Sequence, residues 1–358
     1  MTQRLVTLGV TSILLMVGIV ALPRAALGTD PGAFSLGGPM SPPSDTLPPF
    51  PEGWESEVDA EHPLAGILWA VEEGRKAQPD ELVERAREAR FVLLGETHDN
   101  PDHHRFQAWM VQSLAARDAR PAVVLEMIRM DRAEALYSYL RDRPGDAEGL
   151  GPAVGWEEEG WPDWSIYRPI AEAALAAGLP LHPGDVARSE QAAVSQGGLG
   201  ALDPARRRAL ALDEPLPEGK RSDLGAQLMS AHCDHLPEEV IPTMIQVQRL
   251  RDAAMADYTL AGAEASDTDQ AILIAGRGHV RADRGVPWYF RARGVEGGVL
   301  TVGLVQVDEE RMEVEDYLPG PGEPSVAGWP APYDFIWLTP RPHDRDPCEA
   351  FREGEGGW

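Results

Sequence analysis

Cysteine is almost missing from this 358-residue chain, where Cys233 and Cys348 are the only two. A fold that depends on a disulfide framework is therefore excluded, and a single bridge between them is allowed in an oxidising compartment without being implied. Basic charge is scarce as well. Lys and Arg total 32 against 58 Asp and Glu, a net charge of -26, which repels a phosphate backbone and argues against nucleic acid as a partner. Neither a Gly-x-Ser-x-Gly nucleophile elbow nor a His-Glu-x-x-His helix occurs, which removes the commonest hydrolase signatures.

What is present starts with Arg4, an apolar run over residues 5–22 and a small-x-small site at Ala26-Leu27-Gly28. Residues 1–28 read as a secretory signal peptide, so an exported, periplasmic protein is expected, with membrane association through an uncleaved segment as the alternative. No cysteine lies near that junction, which excludes a lipobox anchor. Residues 29–62 are rich in Pro, Gly and Ser and read as an extended or disordered leader. A Pro/Gly-rich tail covers 318–358, in which 334–338 could dock on the body as a short strand.

Within 63–317, short apolar runs alternate with longer helical patterns, the signature of βαβ units. The expected fold is α/β, with a mostly parallel central sheet flanked by helices and a helical insertion or cap. Strands are expected at 91–94, 122–125, 179–182, 271–275 and 299–307, and helices at about 103–116, 132–141, 165–177, 224–232, 237–263 and 286–293. The stretch 197–220, loop-like around a short helix at 204–212, reads as the insertion that could form a lid.

Ligands of an open parallel sheet bind beyond the carboxyl ends of its strands. Here the apolar runs end in Gly95-Glu96-Thr97-His98, in Glu126, in His182-Pro183-Gly184-Asp185 and in Gly276-Arg277-Gly278-His279. Each ionisable residue has an ordinary explanation by itself. Together they point to one cleft, because burying several such groups side by side costs several kcal/mol unless a cation or ligand compensates. Glu96, His98, Glu126 and His279, with His104 from the next helix, are the candidate metal ligands; imidazole and carboxylate suit Zn, Fe, Mn or Cu. The glycines flanking Arg277 let a bulky ligand approach, and the absence of a following Lys-Ser/Thr speaks against a phosphate loop. Ala231-His232-Cys233-Asp234-His235 is a second cluster, either a metal site of its own or a helix end with His232 or Cys233 turned to the main cleft.

Gly95-Glu96-Thr97-His98 with Asp102-His103-His104 and Gln107, followed by Val124-Leu125-Glu126, resembles the opening of the ChaN-like proteins. Trp164-Ser165-Ile166-Tyr167-Arg168-Pro169-Ile170, His232-Cys233-Asp234-His235-Leu236-Pro237, Gln248-Arg249-Leu250-Arg251-Asp252-Ala253-Ala254-Met255-Ala256 and Gly276-Arg277-Gly278-His279-Val280-Arg281 are similar to the family's later motifs. The resemblance spans roughly 90–293. It implies haem or iron as cofactor, a role in uptake with an outer-membrane receptor as partner, and in some members a homodimer with paired haems. It also implies a tyrosine ligand for iron, with Tyr137, Tyr139, Tyr167 and Tyr258 as candidates and Tyr167 preferred for its motif. Arg168, Arg277 and Arg281 are then the partners for propionates. The superfamily also contains Tiki-type metallopeptidases and erythromycin-esterase-like enzymes. That relationship implies the alternative of a metal-dependent hydrolase, Zn for example, with Glu96 or Glu126 as general base and His279 stabilising charge.

Overall fold

The structure, a computed structural model, describes residues 46–318, 331–345 and 348. The expected signal peptide and most of the expected leader lie outside the described residues. In chain order the elements are β1 (Leu68–Ala70), β2 (Arg75–Lys76), α1 (Pro79–Glu88), β3 (Phe91–Glu96), α2 (Pro101–Ala116), β4 (Ala122–Arg129), α3 (Ala133–Asp142), α4 (Leu150–Val154), α5 (Trp164–Ala176) and β5 (Leu181–Asp185). They continue with α6 (Arg188–Gly197), α7 (Pro204–Ala209), α8 (Glu218–Ala231), α9 (Ile241–Ala265), β6 (Ala271–Gly276), α10 (Val286–Ala292), β7 (Val299–Gln306) and β8 (Phe335–Thr339).

All eight strands form one sheet in the order β2-β1-β8-β7-β3-β6-β4-β5. From β8 to β5 every pairing is parallel, and the two pairings of β1, with β2 and with β8, are antiparallel. This is the α/β architecture that the alternation of apolar runs predicts. The central strands are apolar throughout because both faces are covered. Val92, Leu94, Val123, Leu125, Ile272 and Ile274 face the layer of α1, α2 and α5. Leu93, Val124, Leu273 and Ala275, one residue out of phase, face α9 and α10.

Three differences from the sequence expectation bear on the site. First, the strand expected at 179–182 is shifted: β5 ends on Asp185, and His182 pairs in register with Val124 inside the sheet. Its ring is buried, with Nδ1 at 3.0 Å from the Tyr137 hydroxyl, and burial pulls it down to about 4, so it is neutral. Second, Leu199, Leu202, Leu210 and Leu212 of the expected lid join the core against α9, and Arg206 of α7 reaches Asp257 and the Tyr258 hydroxyl. Third, the segment before β1 builds the body, as the docked strand expected at 334–338 does in the form of β8. Phe50 packs edge-on against Trp337 at 5.5 Å, and Glu55 and Ser56 donate their backbone N–H groups to the Asp102 carboxylate at 3.1 and 2.9 Å. Val58 bridges to Arg341, so the segments before β1 and after β8 together clamp the start of α2.

Cys233 and Cys348 are bonded, with their Cα atoms 5.5 Å apart. Among the described residues no helix is long and apolar enough to cross a membrane.

Candidate functional site

The order β3-β6-β4 places the carboxyl ends of three buried strands side by side, with β6 in the middle. Glu96 closes β3 opposite Gly276, and Glu126 leaves β4 at an irregularity between Leu125 and Arg129. The two carboxylates therefore stand on either side of Gly276, both buried. Glu126 Oε2 accepts the Gly276 N–H at 2.5 Å. A Cβ on Gly276 would lie 3.0 Å from His98 Nε2 and 3.5 Å from Glu126 Oε2, so the glycine keeps open the space between the two halves of the site.

On one side, Glu96 gathers three rings. Tyr167, from α5, donates its hydroxyl to Oε1 at 2.6 Å, and His98 Nδ1 lies 2.9 Å from the same oxygen. His104, on the first turn of α2, puts Nδ1 3.0 Å from Oε2 and donates Nε2–H to the His98 carbonyl at 3.0 Å. Burial raises the Glu96 carboxyl, but the His104 and His98 rings outweigh it and leave the group lowered to about 2. Burial likewise lowers both imidazoles, and Glu96 more than offsets this, holding each above its ordinary value. His103, the neighbour of His104, is a support instead. Its Nδ1 accepts from Thr97 N–H at 2.9 Å and its Nε2 donates to Thr339 Oγ1 at 2.9 Å, while burial keeps it neutral.

On the other side, His279 sits between two carboxylates, with Nδ1 2.5 Å from Asp252 Oδ1 and Nε2 3.2 Å from Glu126 Oε1. Arg251 bridges outward, donating to Glu126 at 2.6 Å and to Asp185 at 2.9 Å. Burial lowers His279, but Glu126 and Asp252 win and push it up to about 9. Since the ordinary value is 6.5, the folded state holds this proton more tightly than the unfolded chain does. The stabilisation is complete below about pH 6.5 and is lost as pH rises through about 9, on the order of 3 kcal/mol in all. Urea denaturation at a series of pH values is expected to show this fall, and a His279→Gln variant to lack it. An equal fall in the variant rules out His279 as the cause.

Of the residues singled out in the sequence, the structure gathers Glu96, His98, His104, Tyr167, Glu126 and His279. As they stand they are bonded to one another: among the described residues no group of three or more His, Cys, Asp or Glu is arranged to hold a metal ion. The other tyrosine candidates are engaged elsewhere: Tyr137 beside His182, Tyr139 on Asp146 and Tyr258 with Arg206. Arg168 pairs with Glu172 along α5 at 3.0 Å, and Arg281 with Asp283 at 2.9 Å. His232 ends α8 with Nδ1 2.7 Å from the Leu228 carbonyl. Arg277, directly after β6, has neither an ion pair nor a side-chain hydrogen bond to a described residue; its backbone N–H reaches the Glu96 carbonyl at 2.8 Å.

Sequence reasoning missed the roles of Arg251 and Asp252, which no strand end marks, and of Trp161. The Trp161 ring meets His98 edge-on at 4.9 Å and donates Nε1–H to the Met127 carbonyl at 3.0 Å. The signal for the first pair was a charged dipeptide inside the longest apolar-striped helix, where burial demands partners.

Comparison with solved structures gives ChaN of Campylobacter jejuni, described as binding haem cofacially, at 17% identity and TM-score 0.59, covering 76% of this chain and 95% of that one. An erythromycin esterase, EreC, in its open conformation matches at 15% identity and TM-score 0.36, covering 64% and 72%, a likeness too low to carry an argument. Comparison with curated proteins gives no match. The family model described as "Haem-binding uptake, Tiki superfamily, ChaN" matches residues 82–290, more than half of the chain, and the protein belongs to that family.

Proposed function

We propose that the protein binds haem at the carboxyl edge of β3, β6 and β4, with His98 as the iron ligand, and serves haem or iron uptake outside the cytoplasm. The observation that carries this reading is a single nitrogen. His98 is held through Nδ1 by Glu96, its side chain is 36% exposed, and its Nε2 is bonded to no described residue. An imidazole that ligates a metal through one nitrogen commonly gives its other N–H to a carboxylate, which fixes the ring. A bare ion needs three or four protein donors, whereas haem brings four nitrogens of its own and asks the protein for one. One available imidazole therefore suits haem, and the same count disfavours the hydrolase alternative, which needs several protein ligands around one ion.

Trp161 adds an aromatic edge beside the ring, and the guanidinium of Arg277 stands ready for an anionic group such as a propionate. Tyr167, 1% exposed and donating to Glu96, has its hydroxyl pushed well above the ordinary value by burial and by that carboxylate. It therefore acts as a support for Glu96. When bound, haem supplies a redox-active iron; the chain supplies a fixed ligand, an aromatic wall and a cation. The exported setting is supported by the bonded Cys233 and Cys348, since such bonds persist in oxidising compartments. The homodimer and the outer-membrane receptor belong to this proposal through the family likeness alone.

Titration with hemin tests the reading: a saturable Soret band at one haem per chain is expected, with ferric ion alone not retained. No saturable change in the absorption spectrum overturns it. A Gly276→Ala variant sharpens the test. Its Cβ, 3.0 Å from Nε2, must displace the His98 ring by a few tenths of an ångström, so hemin affinity is expected to fall while the melting temperature changes little. Unchanged affinity in that variant argues against His98.

A further inference from the structure

A second cluster of charge lies on the same sheet edge, beyond β5. Arg129 ends β4, Arg132 follows it in the 3-10 turn Met130–Arg132, and Arg188 opens α6 directly after β5. All three converge on one carboxylate, Glu159, whose side chain is only 4% exposed. Arg129 holds it with both terminal nitrogens, one of them 2.6 Å from Oε1; Arg132 donates to Oε1 at 3.2 Å and Arg188 to Oε2 at 3.0 Å. Asp131 is a second carboxylate in the cluster, 3.3 Å from Arg129 Nε and accepting the Arg188 backbone N–H at 3.2 Å. Three guanidiniums thus converge on the two oxygens of one buried carboxylate, and Glu158 of the same turn also lies near Arg132.

The segment that brings Glu159 is built to come away. Glu157–Glu159 is a lone 3-10 turn between Gly155 and Gly160, both left-handed with φ of 70° and 77°, where glycine pays no steric penalty. None of its three residues is buried as a whole, and its backbone bonds are local, Glu159 N–H to the Trp156 carbonyl and Gly160 N–H to that of Glu157. Within the turn the Glu159 carboxylate is what reaches the body, while the buried Trp156 before it and Trp161 after it, bonded to the Met127 carbonyl, hold its two ends. Two residues further on, Trp161 lies against His98.

We propose that Arg129, Arg132 and Arg188 form a receiving subsite for a ligand bearing more than one carboxylate, and that Glu159 occupies it as an internal stand-in until the ligand displaces it. Guanidinium groups in such numbers recognise carboxylate through paired N–H bonds, and an acid with several carboxylates offers the arginines separate acceptors where Glu159 shares two oxygens among three. Release of Glu159 loosens the turn that leads through Gly160 to Trp161, so occupation of the subsite and the wall beside His98 are linked. The subsite stands on its own geometry; its use by the propionate edge of haem rests on the reading above.

Citrate is the probe. Calorimetry is expected to show Glu159→Gln binding citrate at least tenfold more tightly than the wild type, because the internal competitor has lost its charge. Adding Arg132→Ala and Arg188→Ala, whose side chains are 37% and 65% exposed, is expected to abolish the gain. In the wild type, citrate is expected to accelerate amide hydrogen exchange over residues 155–163, a measurement that needs no variant. Equal citrate affinity in wild type and Glu159→Gln, a gain that survives loss of both arginines, or unchanged exchange overturns the proposal. Hemin and its dimethyl ester separate the two readings. A gain in Glu159→Gln for the free acid and not the ester supports the subsite; hemin binding with no citrate effect sinks the subsite alone, and a citrate effect without hemin binding supports it while sinking the haem reading.

Discussion

Replacing Glu126 by alanine is expected to lower the unfolding free energy by about 3–5 kcal/mol, the range for breaking a buried ion pair by removing one partner. Glu126 is 1% exposed and accepts from Arg251, from Gly276 N–H and, through the same oxygen as Arg251, from the charged His279. Its removal leaves Arg251 with Asp185 and His279 with Asp252 as their remaining carboxylates, and the Gly276 N–H without an acceptor. Burial works against a Glu126 charge, yet His279 and Arg251 hold the carboxyl well below its ordinary value, so the charged form is the one the fold uses. Chemical denaturation of the variant measures the loss. A deficit below about 1 kcal/mol contradicts the argument, since that is the size of an exposed pair. A cycle with Arg251→Met checks the cause: the two losses are expected to fall short of additivity by more than about 1 kcal/mol, because either change alone strands the other's charge.

The strands that define this network were legible because they are buried on both faces. Phe91–Glu96 and Ala271–Gly276 have no exposed residue, so their apolar runs are uninterrupted and their first polar side chains mark the edge. The end of β5 was harder to read, since Pro183 and Gly184 look like a turn. As an edge strand β5 tolerates the missing donor of Pro183, and Gly184 is required because a Cβ there would sit 2.8 Å from the Leu125 backbone. The packing of the half-buried Phe50 and Trp54 on the core was hidden by the Pro-rich composition around them, which reports a lack of regular structure and not a lack of contact. Arg251 and Asp252 were invisible for another reason. A helix shows its buried stripe through apolar spacing, and a charge that is buried because its partners lie on β4, on β5 and in the loop after β6 interrupts that spacing without naming them.

Removal of the His98 imidazole is expected to reduce hemin affinity by at least the 10- to 100-fold that loss of a ligand-orienting partner costs, and to change the absorption spectrum of whatever hemin remains. Glu96→Gln is the partner experiment. A glutamine still offers an oxygen to Nδ1, so the ring keeps its place, but the neutral acceptor polarises the imidazole less and loses the attraction to His104. An affinity loss within that 10- to 100-fold range, with the His98-type spectrum retained, is the expected result. The pattern separates ligation from mere structure. If His98 only packed, its alanine variant and Glu96→Gln would both weaken hemin binding in proportion to lost stability and leave the spectrum of the bound fraction alike. If Tyr167 held the iron, Tyr167→Phe would abolish the wild-type spectrum. With His98 as ligand that variant is expected to keep it, because the Tyr167 hydroxyl is spent on Glu96 at 2.6 Å. A spectrum lost in Tyr167→Phe and kept in His98→Ala would reverse the assignment.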